Sequence, residues 1–489
     1  MKRILSLILA AALLSASLVS CSNNPEAAEE TETPTAAAEE VVVPEEEPEE
    51  ELKSAVPEEL DFNGESLTLY YYECLPTYNI QQEEITGENV EDAIYNANQS
   101  VMDYLNCSFE YFDDPSIEIT AVENSVSAGD GAYDIVYGTQ WKVAPKLTRH
   151  IFRSFTGDEY IDFSRPWWYD EYMTESATGN GDIYMLAGDL NLCVLRRSSI
   201  ALMNDDLLSD CGFSAAEVKS DVLEGAWTLD KMYDITDAIY VDANGDGAQD
   251  FNDVFGLASW TRSDVEHLVI DAGIRATSRD ENGIPQITFN NEQTVSCVEK
   301  LVRLIWENQG AYYVEGIDTA AMLAENRVGF LFIKFSNLEN FRDIDRNFTI
   351  IPMPKLDETI DHYSSLVHDD VTVVCEPITT SNTELISAVI EQLSFESYRN
   401  VTPQYYDVSL KNKYMRNTED ETSRIVDMIH DSITTDFSYV YNYALGNFFL
   451  GLRDLIGVNK SSDFASYYKK LEKVSAKSFE RLLKEMSEE

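Results

Sequence analysis

Hydrophobic and polar positions along this chain switch repeatedly between a period of two and a period near 3.6. Residues 67–72 and 133–137 are compact β-rich runs, the second ending at Gly138. Between them Ala93, Ile94, Ala97, Val101, Met102 and Leu105 recur on one side of a helix predicted over 90–105. A short strand over 109–112 and a helix over 117–128 complete a strand–helix–strand–helix–strand order. That order predicts a parallel sheet with ligands at the C-terminal ends of its strands, where Gly138, Gln140 and Trp141 fall. Further on, 194–203 reads as a long strand running into the next helix, and 328–332 and 348–351 as further strands. Helices are expected over 382–398, with Leu385, Ile386, Val389, Ile390 and Leu393 on the apolar face, over 422–429 and over 467–486. No internal repeat is evident, which argues against a propeller or solenoid.

The sharpest local pattern lies between Trp227 and Gly256. Leu229, Met232, Tyr233, Ile235 and Ile239 keep helical spacing, and Thr228 stands where an N-cap hydroxyl accepts an orphan amide. Asp242, Asn244, Asp246, Asp250 and Asp253 then occupy positions 1, 3, 5, 9 and 12 of an EF-hand-type loop, with Gly247 at position 6 for the turn and the Ala248 carbonyl at position 7. Short oxygen-bearing side chains at this spacing converge on a hard cation, so Ca2+ in a structural role is expected. Position 12 is Asp where the longer bidentate Glu is usual. The bland reading is an Asx-rich turn that binds nothing.

Composition adds an address. Lys2 and Arg3 precede an uncharged apolar run ending in Leu18-Val19-Ser20-Cys21, which resembles a bacterial lipobox; residues 1–20 are expected to be a removed signal, with Cys21 lipidated. Residues 21–59 are rich in Glu, Pro, Ala and Thr with the single cation Lys53, a composition that buries too little apolar surface to fold, and are expected to form a disordered acidic tether. No second long apolar run follows, so the protein is expected to be anchored to a membrane without crossing it, on the outer face of the cytoplasmic membrane. The formal net charge of −53 argues against nucleic acid or anionic lipid as partner, since phosphate binding needs clustered cations. Of the seven cysteines, the six beyond Cys21 show no CxxC and no zinc spacing, and sit mostly as small buried hydrophobes expected to be free thiols.

Several stretches in combination resemble the extracellular solute-binding lipoproteins of bacterial ABC importers, the carbohydrate-type family 1 group. They are the lipobox with acidic tether, YDIVYGTQW, IDFSRPWWYDEY, ALMNDDLL, GAWTLDKM, DANGDGAQDFNDVFGL, IIPMPKLDE, IEQLSFESYRN and VTPQYYDVSLKNKYMRNTEDE. The resemblance implies an α/β, two-lobe (type II) periplasmic-binding-protein-like fold, mixed sheets flanked by helices around a hinged cleft. It places lobe one at 60–190 plus 371–430 and lobe two, with loop 242–253, at 191–370 plus 431–489. It implies a monomer that takes a carbohydrate, most commonly an oligosaccharide, and delivers it to permease subunits, with no catalytic residues.

A sugar offers an apolar face and a ring of hydroxyls, which flat aromatics and rim polar groups read. On that ground the candidate ligand residues are Trp141, Gln140, Trp167, Trp168, Tyr71, Tyr72, Arg165, Trp260, Phe332 and Lys334. Trp227, Trp306 and Tyr405-Tyr406 are expected to serve packing instead. A surface adhesin or sensor and a peptide receptor stay open as alternatives. A glycan-active enzyme is disfavoured, because no Gly-x-Ser-x-Gly, HExxH or Walker loop occurs and any carboxylate pair chosen among so many acids is uninformative.

Overall fold

Two mixed β-sheets organise the chain. The computed structural model describes residues 52–72, 75–259, 265–406, 419–447 and 449–487. The signal, Cys21, most of the tether and Trp260 lie outside the described residues.

The first sheet contains β1 (Glu65–Tyr71), β2 (Cys107–Asp113), β3 (Ile135–Thr139) and β4 (Phe152–Arg153), and takes a further strand from far along the chain, β14 (Thr372–Pro377), in the order β2-β1-β3-β14-β4. β1 runs parallel to both β2 and β3, with Leu69 opposite Ile135, while β14 runs antiparallel to β3, with Thr372 opposite Thr139. Every residue of β3 and β14 is buried, which is why both read as continuous apolar runs rather than alternating ones. The second sheet has the order β10-β7-β11-β5-β12, from β5 (Ser199–Asn204), β7 (Val254–Ser259), β10 (Ala311–Tyr313), β11 (Val328–Lys334) and β12 (Phe348–Ile351), with β6 (Tyr240–Val241) paired to β7. β7, β10 and β11 are parallel, so Ser259, Tyr313 and Lys334 end on one side, beside Ser199 at the start of antiparallel β5. The hairpin of β8 (Thr277–Arg279) and β9 (Pro285–Ile287) stands apart.

Local signals explain most helix starts. Thr228 caps the helix Leu229–Asp237 by accepting from Lys231 N–H, and Asn382 caps Thr383–Glu396 by accepting from Leu385 N–H. Trp227 is fully buried against Phe330, as expected of a packing anchor. The five cysteines among the described residues are free thiols.

Two expectations need correction. The stretch 194–203 is not one strand: Cys193–Arg196 is a helical turn and the strand starts at Ser199. A short apolar run does not distinguish strand from buried helix. Here Asn191 Oδ1 accepts Cys193 N–H at 2.9 Å, and the Arg196 guanidinium is drawn to Glu339 at 3.0 and 3.1 Å. The tether also ends before residue 59, since Val56 is buried and its carbonyl accepts the Tyr104 hydroxyl at 3.0 Å.

Three passages connect the sheets and run side by side. The first contains Cys193–Ser198; the second leads from β13 (Ser365–Leu366) through His368–Val371 into β14; the third enters β15 (Ile433–Thr434) after the helix Glu419–His430. β13 and β15 pair in parallel, and Ser198 bridges Val367. Asp271, at the end of the helix Val265–Asp271, ties two of the passages: it accepts from Ser199 Oγ at 2.7 Å and from Leu366 N–H at 2.7 Å. Arg275 reaches Ser364 and Thr434 at 3.2 Å and forms an ion pair with Glu171 at 2.9 Å.

Burial raises the Asp271 carboxyl to about 8, against the hydrogen bonds from Leu366 and Ser199 that pull it down. The unfolded carboxyl releases its proton near 3.8, so between those values the folded state holds the extra proton and stability falls as pH rises. Asp271→Asn keeps the shape without the charge. It is expected to flatten the decline in Tm between about pH 5 and about pH 8, as scanning calorimetry on the two proteins would show. Equal slopes would mean that Asp271 does not hold this proton.

Candidate functional site

The parallel strands of the first sheet deliver their C-terminal ends to the start of the second passage. β3 ends at Thr139 and turns at once into the helix Gln140–Val143. Gly138 permits this turn, because a Cβ there would lie 2.6 Å from Val143 Cγ2. Backbone bonds then lock the turn to the passage: Gln140 N–H donates to Val371 O at 2.8 Å and Trp141 N–H to Asp369 O at 3.1 Å.

Trp141 is half-buried, and its ring lies 6.0 Å from that of Tyr443 at an interplanar angle of 34°. Tyr443 comes from the turn after the helix Phe437–Val440 and is 52% exposed, so it presents an open aromatic surface. Lys142 holds its ammonium 3.8 Å from the Trp141 ring centre and pairs with Glu118. Burial, then the nearby Asp369 charge, raises the Tyr443 phenol, which stays a neutral hydroxyl.

On the second-sheet side a groove of about 400 Å³ is lined by Arg197, Thr319, Phe332, Lys334, Asn337 and Asn340 among others. One of its lining residues, Arg197, meets Asp370 at 2.7 Å, next to the Asp369 whose carbonyl accepts Trp141 N–H. The aromatic pair offers a flat ring surface, and the groove offers hydroxyl, amide and cationic groups beside apolar ones. Such groups suit a ligand with apolar ring faces and many hydroxyls.

The sequence candidates divide. Trp141 joins this group, and Phe332 and Lys334 line the groove, Phe332 with only 6% exposure. Gln140 is fully buried and its Oε1 is taken by the Tyr172 hydroxyl, so it supports the turn from behind. Trp167 and Trp168 do not come to the site. Both lie in the core and donate their indole N–H to Glu391 Oε2, at 3.3 and 3.2 Å. Arg165 pairs with Asp162 at 2.8 Å beside them. Tyr71 is buried, its hydroxyl on Gln81 at 2.9 Å and its ring edge-on to Tyr111. Tyr72 is half-buried at the end of β1 and donates its N–H to Tyr137 O. Tyr443, Arg197, His368, Asp369 and Asp370 were not singled out by sequence. Tyr443 sits in a tyrosine-dense run where no spacing separates a surface ring from the buried Tyr439 and Tyr441.

The loop after Tyr240 has its side chains turned on its own backbone. Asp242 accepts from Gly245 and Gly247 N–H at 2.7 and 2.9 Å, Asn244 from Asp246 N–H, and Asp246 from Ala248 N–H. Gly245 and Gly247 have φ of +73° and +78°, the left-handed region that glycine adopts freely. Asn244 Nδ2 reaches both Asp246 Oδ2 at 3.1 Å and Asp250 Oδ2 at 3.5 Å, while Asp253 is fully buried and takes Ala243 N–H and the Tyr240 hydroxyl. Among the described residues no three His, Cys, Asp or Glu side chains stand close enough together to hold an ion.

No model of a known protein family matches the chain, and no curated protein matches it in sequence. Its structure does match. The UgpB protein of Mycobacterium tuberculosis, solved with glycerophosphocholine, superposes with a TM-score of 0.55 at 12% identity over 85% of this chain and 98% of its own. The galacto-N-biose/lacto-N-biose I-binding protein of a Bifidobacterium longum ABC transporter, solved with lacto-N-biose, gives 0.55 at 9% identity over 86% and 98%. The GacH receptor of Streptomyces glaucescens, solved with acarbose, gives 0.51 at 12% identity over 86% and 99%. This is the two-lobe solute-binding fold. Identities this low establish the architecture alone.

Proposed function

We propose that the protein is a receptor for an ABC importer that captures a carbohydrate, an oligosaccharide by preference, between its lobes and delivers it to permease subunits. The observation that carries this reading is the exposed Tyr443 ring beside Trp141 at the C-terminal end of β3, in a fold shared with solute-binding proteins. The ligand would bridge the lobes and shift an open–closed equilibrium about the three passages, to the extent that it binds the closed form better. The lipobox pattern at Cys21 supports a lipid anchor outside the cytoplasmic membrane, and no helix among the described residues is long and apolar enough to cross one. The protein would act as a monomer without catalysis.

A thermal-shift panel of mono- and oligosaccharides, glycerophosphodiesters and peptides tests the reading on the chain from Lys53 onward. A reproducible rise in Tm with one saccharide class supports it and identifies the ligand. A response to peptides or phosphodiesters alone would overturn the carbohydrate assignment. A blank panel would favour the adhesin or sensor.

We also propose that Asp242, Asn244, Asp246, Ala248, Asp250 and Asp253 hold Ca2+, which would supply structural bracing. The donor set is all hard oxygen at EF-hand spacing. In their present positions the carboxylates of the loop do not form an ion-holding cluster, so Ca2+ would have to draw them together, and Asp246 and Asp250, which both approach the Asn244 amide, would give up that contact for the ion. With free calcium about a hundredfold above the dissociation constant, Asp242→Ala is expected to lower Tm by roughly 3–6 °C relative to wild type. In chelator the two proteins should differ much less. Equal differences in both conditions would exclude the ion.

A further inference from the structure

Residues His368–Val371 form the part of the second passage that carries the backbone of Trp141. Their carbonyls accept Gln140 and Trp141 N–H, so a displacement of this segment displaces the candidate ligand residue with it. Backbone contacts hold the segment in part: His368 N–H donates to Arg197 O at 3.1 Å, and Asp369 N–H to the Tyr439 hydroxyl at 3.3 Å. Charge holds the rest. Arg197 grips Asp370 Oδ2 at 2.7 Å, and His368 Nδ1 lies 2.7 Å from Asp370 Oδ1 and 3.1 Å from Asp369 Oδ1. Asp370 Oδ1 receives no directed hydrogen bond, so its attraction to the ring is one between charges. The same Nδ1 stands 3.2 Å from Asp370 N, the donor that a neutral imidazole would accept from.

We infer that His368 is a positioning residue for Trp141: as an imidazolium it draws Asp369 and Asp370 together and fixes the segment on which the Trp141 backbone hangs. The inference rests on reading Trp141 as a receptor residue and adds to it a dependence on one proton.

The groups facing His368 decide the sign. Lys334 approaches from β11, His267 from the helix Val265–Asp271 with its ring centre 5.2 Å away, and Arg197 from the first passage through Asp370. Tyr439 flanks His267 at 6.4 Å. Burial alone would lower the His368 pKa, and Lys334 adds to that; Asp369 and Asp370 outweigh both and raise it above the ordinary 6.5. His267 moves the other way. Burial, then Lys334 and His368, push it well below 6.5, so it stays neutral beside the charged ring. The hold of His368 on the segment is therefore complete below its ordinary pKa and is lost as pH rises through the raised folded value.

The test uses no saccharide, so its failure is distinct from failure of the receptor reading. The full chain carrying 15N-tryptophan gives one backbone amide signal for each of its six tryptophans. Trp141 is identified as the signal lost in Trp141→Phe. In the wild type this signal is expected to move with a single midpoint above 6.5 as pH rises from mild acid to alkaline. His368→Asn removes both the titrating ring and its charge, and should leave the signal near its alkaline position throughout. Asp370→Asn should bring the wild-type midpoint down toward the ordinary value. A Trp141 amide that stays still in the wild type, or that titrates alike in His368→Asn, would overturn the inference, and the wild-type result alone decides it if a variant does not fold.

Discussion

Trp227→Ala is expected to remove about 3–5 kcal/mol of folding stability, the range for emptying a fully buried aromatic site. The Trp227 ring stacks on Phe330 at 5.6 Å and 27°, in the middle of β11, and its indole N–H donates to Pro352 O at 3.2 Å. Its own backbone closes the same corner, with Trp227 N–H on the Tyr363 hydroxyl and Trp227 O accepting Lys355 N–H, both at 3.2 Å. Truncation leaves a cavity between the second sheet and the helix Leu229–Asp237, and a buried carbonyl without its donor, so both terms act in one direction. Trp227→Phe retains most of the stacking and loses the hydrogen bond, and should cost about 1–3 kcal/mol. Denaturant unfolding of the three proteins measures the series. A loss below about 1 kcal/mol for the alanine variant would mean that the corner collapses around the gap and that Trp227 is no anchor.

Tyr443→Ala is expected to weaken saccharide binding roughly 10- to 100-fold while leaving Tm close to that of the wild type. An aromatic anchor at the centre of a binding surface is worth about 1–3 kcal/mol when it desolvates a ligand face. Tyr443 spends little of its area on the fold, being half exposed with its ring touching Trp141. Trp141→Ala makes a less clean test. It also removes the partner of the Lys142 ammonium and a half-buried ring, so part of its effect is structural. Calorimetric titration with the saccharide found in the thermal-shift panel gives the ratio. Unchanged affinity in Tyr443→Ala would place the ligand away from this ring.

The strand–helix alternation from Glu65 to Thr139, the cap at Thr228 and the start of a helix near Asn382 were legible because they depend on neighbours within a few residues. The element over 194–203 was misread for a matching reason. Its apolar run suits either state, and what favours the helical turn at Cys193–Arg196 is an Asx turn at Asn191 just before it and a glutamate 143 residues from Arg196. The site was legible at Trp141, whose place follows from the sheet's strand direction. It was not legible at Asp369, Asp370 or Arg197, because charged residues in so acidic a chain carry no distinguishing pattern until two passages bring them to 2.7 Å.

Taken alone, the sequence determined the strand–helix alternation that builds the first sheet, the Asx-rich loop and where β3 ends. Period and turn chemistry are local, and they survive without knowledge of what packs against them. Only the tertiary structure decided which aromatics face solvent. Trp167 and Trp168 stand in a motif that looked like a binding surface, yet Glu391, 224 and 223 residues away, takes their indole protons into the core. Tyr443 looked like one tyrosine among many and emerged beside Trp141 through the third passage. A period along the chain reports which face of an element is apolar; which distant element covers that face is settled by packing.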